Sequence, residues 1–132
     1  MSEISSEDYI RANQDTVDWY SISNQLLSED VIREFIDKVK WQTISHRQKL
    51  SENFIREFQD KLDWNYISCY QKLSENFIRE FQDKVNWNEI AYRQKLSKEF
   101  ILEFIDKLNI RLILTYQDLD QETKEYLLLL KG

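Results

Sequence analysis

Cys69 and His46 are the single cysteine and the single histidine of the chain, and they stand one 23-residue period apart. A thiolate beside an imidazole is the start of a cysteine nucleophile, but the base needs a third group to orient it. The sequence assigns none. The same two side chains are also zinc ligands, and two ligands do not make a zinc site. Carboxylates are plentiful, yet they recur at the same helix-surface positions and form no acid–base pair. The only glycine is the terminal Gly132, so no glycine-rich loop exists to cradle a phosphate. These exclusions leave no catalytic residue, no cofactor and no metal, and His46 and Cys69 read as variants of one surface position.

What remains is the chemistry of recognition. Tyrosine and arginine are enriched among the residues that carry binding energy at protein interfaces. Arg47, Tyr66, Tyr70, Tyr92 and Arg93 sit at positions that change from one segment to the next, and are the candidate partner-binding residues. A second candidate surface is acidic. Glu52, Asp60, Glu75 and Asp83 recur in register, and a row of carboxylates can imitate nucleic-acid phosphates. Interspersed Arg and Lys weaken that imitation. The formal charge of −6 makes direct nucleic-acid binding a poor expectation.

The elements that position these side chains come from a near-verbatim repeat. Residues 50–71 read LSENFIREFQDKLDWNYISCYQ and residues 73–94 read LSENFIREFQDKVNWNEIAYRQ. A period of this length marks a stacked array. Units begin near Ser6, Ser28, Ser51, Ser74 and Ser97, with a half unit from Asp120, and together span one repeat domain over 1–132. One residue is missing from the first unit, after Ile22.

Each unit predicts two helices, A and B. Helix A of the third unit runs over 51–62. Ser51 caps it, Phe54, Ile55, Phe58 and Leu62 share one face, and Glu57 and Lys61 form an i,i+4 pair. Helix B runs over 63–72 with Trp64 and Ile67 on its buried stripe. A small residue (Ser23, Ser45, Ser68 or Ala91) follows the Ile, on the same side of the helix as these two, and lets neighbouring helices approach. Asp18, Asp63, Asn86 and Asn109 stand at the cap of B, and Lys40 is the exception. Helices this short are marginal alone, so stacking must stabilise them. With no proline and one glycine, the fold class is all-α: an α-solenoid of about eleven short helices in antiparallel pairs. The A segments carry the negative charge. The B segments are mildly basic, the second one most of all.

The pattern L-S-E-x-F-I-x-E-F-x-D-K-V/L-x-W covers 50–64 and 73–87 closely, and 27–41 and 96–109 less closely. It resembles a family of short tandem helical-hairpin repeats in proteins of large DNA viruses of protists, and in some phage and bacterial sequences. The resemblance implies a viral or mobile-element product that engages a host protein, and brings no catalytic residues with it. The expected function is therefore a non-enzymatic protein–protein interaction module that binds and inhibits a host defence protein. The alternative is an acidic nucleic-acid mimic.

The ends differ from the middle. A first helix from Ser5 to Val17 has Asn13 where later units have Phe, which suits a polar cap. The last helix carries apolar residues all round from Tyr126 to Leu130. More apolar surface is present there than one neighbour covers, so Leu128 and Leu129 are expected to make an end contact, with a partner or in a homodimer. The apolar run is too short to span a bilayer, and no membrane association is expected. A lone cysteine and the lack of an apolar N-terminal run suit an intracellular place, host cytoplasm or nucleus.

Overall fold

The computed structural model describes residues 6–131. Ser5, at the head of the expected first helix, lies outside the described residues. Among the described residues there are eleven α-helices and no strand. In chain order they are α1 (Ser6–Ala12), α2 (Trp19–Ser23), α3 (Glu29–Glu34), α4 (Trp41–Arg47), α5 (Glu52–Glu57), α6 (Trp64–Tyr70), α7 (Glu75–Glu80), α8 (Trp87–Arg93), α9 (Lys98–Glu103), α10 (Ile110–Tyr116) and α11 (Gln121–Lys131). The odd-numbered helices are the A type and the even-numbered ones the B type. The chain divides into two compact units, Met1–Asp63 and Trp64–Gly132. The first contains α1 to α5 and the second α6 to α11. Within each unit B helices pack on B helices, α2 on α4 in the first and α6 on α8 on α10 in the second.

Helix A is shorter than its periodicity suggests. Ser51 accepts the Phe54 N–H at 3.1 Å, as a cap should, but α5 ends at Glu57. Phe58 leaves helical geometry at φ −110, ψ 27, and a tight turn follows. The N–H groups of Lys61 and Leu62 both converge on the Phe58 carbonyl, at 2.9 and 3.2 Å. The same turn recurs after Phe35, Phe81 and Phe104. It lets Phe58 and Leu62 remain buried on one side while the chain reverses. It also breaks the expected Glu57–Lys61 pair, because Lys61 is no longer helical. Glu57 instead accepts from Arg33 at 3.0 Å.

Tryptophan closes this turn. The Trp41 indole N–H donates to the Ile36 carbonyl at 3.0 Å, and Trp87 to Gln82 at 2.9 Å, satisfying carbonyls that the ended helix leaves open. The indole face then covers the phenylalanines of the next repeat. Trp41 lies 6.3 Å from Phe54 and 5.1 Å from Phe58; Trp64 lies 6.2 Å from Phe77 and 5.2 Å from Phe81. The indoles are thus half-buried bridges between repeats, resting on a spine of fully buried Phe and Ile.

Two polar side chains hold successive B helices in register. The first is a buried glutamine at the end of α4, α6, α8 and α10. Gln94 donates to the carbonyls of Ser68 and Gln71, at 3.0 and 2.7 Å, and its Oε1 accepts the Leu73 N–H at 3.1 Å. Gln117 treats Ala91, Gln94 and Leu96 the same way, and Gln48 treats Ser23, Gln25 and Leu27. One side chain so pairs three backbone groups of the preceding connection, which replaces the glycine and proline turns this sequence lacks. The second is the small residue of helix B. Its role is more than close approach: Ser23, Ser45 and Ser68 each accept, at 2.9 Å, the N–H of the residue that precedes the next B helix, Lys40, Asp63 and Asn86.

Ala91 has no hydroxyl, and among the described residues the Asn109 N–H has no hydrogen-bond partner. Ala91→Ser should supply it and stabilise the fold by about 0.5–1.5 kcal/mol. A urea midpoint for Ala91→Ser at or below that of the parent would show that the hydroxyl contributes nothing there.

Lys40 carries the opposite cost. It precedes α4 without a side-chain cap, whereas Asp18 and Asn86 accept N–H groups of the first turns of α2 and α8. A missing cap costs about 1 kcal/mol.

Candidate interaction surface

Scaffold positions face inward or into the next repeat, and this leaves the variable B-helix positions at the surface. In the second unit they form one cluster. Tyr66 and Tyr70 lie along α6 with ring centres 5.9 Å apart. Tyr66 is half-buried and is therefore less open than its place on a helical wheel suggests. Tyr70 is exposed. On α8 the Arg93 guanidinium lies over the Tyr92 ring at 4.3 Å, and the Tyr92 and Tyr116 rings meet edge to face with centres 4.3 Å apart, Tyr116 being on α10. Tyr92 and Tyr116 are both exposed. Arg47, the remaining predicted anchor, belongs to the first unit and ends α4.

Tyr116 was not among the predicted anchors, although its signal was present. It occupies the same repeat position as Arg47, Tyr70 and Arg93, so this position alternates cation and ring along the chain.

Cys69 belongs to α6, and its thiol meets the Glu89 carboxylate of α8. Burial, followed by the carboxylate of Glu89, pushes its thiol above the ordinary range. It is therefore protonated at neutral pH, and the thiolate is the nucleophilic form. His46 belongs to the first unit, where it lines an open groove of about 390 Å³ with Tyr20, Ser21, Asn24, Thr43 and Arg47. Among the described residues no group of three or more His, Cys, Asp or Glu is placed to hold a metal ion.

The acidic face differs from a free row of carboxylates. Arginine of one repeat reaches glutamate of the next: Arg11 to Glu34 at 2.9 Å, Arg33 to Glu57 at 3.0 Å, and Arg79 to Glu103 at 2.9 Å. The Arg79 guanidinium, by hydrogen bonding, holds the Glu103 carboxyl below its usual range. Glu75 is half-buried, and accepts from the Ser97 N–H at 2.6 Å and hydroxyl at 2.9 Å. Glu29 does the same for Ser51. Asp83 is exposed with Lys107 at 3.9 Å. Glu52 is half-buried and Asp60 exposed, and both have interactions with other residues. Carboxylates at helix A thus serve largely as mortar between repeats.

At the last junction the ladder changes chemistry. The positions of Arg79 and Glu103 become Leu102 and Tyr126 one repeat later. Both line a groove of about 420 Å³ with Lys98, Glu122 and Leu129. Along α11, Leu127 is buried, whereas Leu128 and Leu129 are 53% and 78% exposed. The expected surplus of apolar surface at this end is present. No helix of the described residues is long and apolar enough to cross a membrane.

No protein-family model, curated protein or solved structure matches this chain.

Proposed function

We propose that the chain is a non-enzymatic binding protein that occupies a partner protein with the exposed side chains of its B helices. Tyr70, Tyr92, Arg93 and Tyr116 are the central contacts, with Tyr66 supporting Tyr70. The observation that carries this reading is the division of labour between the two helix types. Carboxylates and arginines of the A helices are spent on neighbouring repeats. Tyr70, Tyr92 and Tyr116, on α6, α8 and α10, are held in tilted and edge-to-face ring contacts that leave them open to solvent. Pre-ordered aromatic rings lose little freedom on binding, which is what an interface anchor requires. The resemblance of the repeat to those of large viruses and phages supports a host protein, one of its defences, as the target.

The test is affinity capture from the native source, comparing the parent with a Tyr70→Ala/Tyr92→Ala/Tyr116→Ala chain whose helicity is checked by circular dichroism. Loss of the captured protein, at an affinity cost of about 2 kcal/mol or more per central anchor, is the expected result. Capture that survives the tyrosine changes but fails on charge reversal of Glu52, Asp60, Glu75 and Asp83 would move the interface to the acidic face and revive phosphate mimicry. Salt separates the two as well, since only the charged contact weakens steeply as ionic strength rises.

A further inference from the structure

We propose that the groove between α2 and α4 in the first unit binds an anionic group, a carboxylate or a phosphate, carried by the protein partner. This rests on the reading that the B helices meet such a partner. Three independent observations lead to it.

The first is the lining. Tyr20, Ser21, Asn24, Thr43, His46 and Arg47 bring hydroxyl, amide, imidazole and guanidinium groups to one open groove of about 390 Å³, with no carboxylate among them, in a chain of net charge −6. Asp18 stands at the head of α2 and is turned into its own helix, accepting from the Tyr20 N–H at 3.0 Å and the Ser21 hydroxyl at 3.3 Å.

The second is Arg47. Arg11, Arg33 and Arg79 are each bonded to a glutamate of the following repeat. Arg47 is exposed, and among the described residues it has neither a hydrogen bond nor an ion pair from its side chain. A guanidinium presents a planar fork of donors that fits carboxylate or phosphate oxygens two at a time. Here that fork is left open.

The third is Lys40. Other B helices have Asp or Asn at this position, and α4 gives up its side-chain cap to place a cation there. The Lys40 ammonium lies 4.8 Å from the centre of the Tyr20 ring, and Tyr20 lines the groove. A residue that forgoes a local stabilising role and adds positive charge two turns before an open arginine of the same helix is explained by a ligand of opposite sign. The same segment, 40–50, holds three cations and no carboxylate.

The experiment titrates the isotopically labelled full chain with inorganic phosphate and, separately, with glutarate, following backbone amides by NMR against sodium chloride of equal ionic strength. Saturable shifts at Asn24, Thr43 and Arg47 are expected. Shifts with phosphate alone identify a phosphorylated side chain as the ligand, and shifts with both anions identify a carboxylate. Arg47→Gln should weaken the affinity about tenfold or more. Lys40→Asn should also weaken it while raising the melting midpoint by about 3–5 °C, because the cap is restored. Weaker binding in a more stable chain cannot arise from unfolding. Shifts no larger than those from chloride, or full affinity in Arg47→Gln, would overturn the proposal. The two readings fail separately. A null titration beside tyrosine-dependent capture removes the groove alone. Saturable phosphate binding beside capture indifferent to the tyrosines removes the B-face cluster alone.

Discussion

Gln94→Leu is expected to destabilise the second unit by about 3–5 kcal/mol, read as a fall in the urea midpoint. The change conserves volume and adds apolar surface at a site that is 6% exposed, so hydrophobicity alone predicts a gain. The loss arises because the Leu73 N–H and the carbonyls of Ser68 and Gln71 depend on this side chain, and water has little access to replace it. Gln94→Glu separates donor from packing. It removes both N–H donors, so it also destabilises, and the buried carboxyl has a raised pKa in the folded chain. Stability of that variant should therefore recover in part as pH falls through the folded pKa, when the protonated group can donate once more. Gln25→Leu is the internal control. Gln25 occupies the same repeat position in the first unit but is exposed, and its replacement should stay within about 0.5 kcal/mol. Equal effects at positions 25 and 94 would mean that the buried hydrogen bonds are not what holds the repeats in register.

Phe77→Ala should cost about 3–5 kcal/mol by the same measurement. The ring is fully buried, 4.7 Å from Phe81 of its own turn and 6.2 Å from the Trp64 indole. Truncation therefore opens a cavity at the seam where one repeat covers the next, and the rings around it are themselves pinned. Phe81 carries the carbonyl on which Lys84 and Val85 close the turn, so it cannot slide in to fill the space without breaking two hydrogen bonds. A cost below about 1 kcal/mol would show that the spine repacks freely, in conflict with the fixed turn geometry.

Much of this architecture is legible in the sequence. Ser51, Ser74 and Ser97 predicted caps, and each accepts the expected N–H. The Phe–Ile pairs predicted a spine, and Phe54, Ile55, Phe77, Ile78, Phe100 and Ile101 are all fully buried. These features depend on residues three or four apart in one helix, a distance over which composition and period determine geometry. The early end of helix A was not legible. Phe58 continues the apolar period whether the backbone is a helix or a tight turn, so the pattern is the same for both. The glutamine was visible as a recurring letter, but its meaning was not, because its three partners lie 21 to 26 residues away.

The candidate surface divides in the same way. Variable positions were readable by comparing units, and Arg47, Tyr70, Tyr92 and Arg93 are exposed as that comparison implies. Whether a carboxylate is free or tied to the neighbouring repeat cannot be read from a helix considered alone. Glu75 and Arg79 look like solvated residues in the sequence and act as ties in the structure. What the sequence determined by itself was the period, the helix type and the inward face, since these follow from local spacing. Tertiary structure alone decided which polar groups are used up between repeats and which stay open, because hydrogen bonds and ion pairs join residues that only stacking brings within 3 Å.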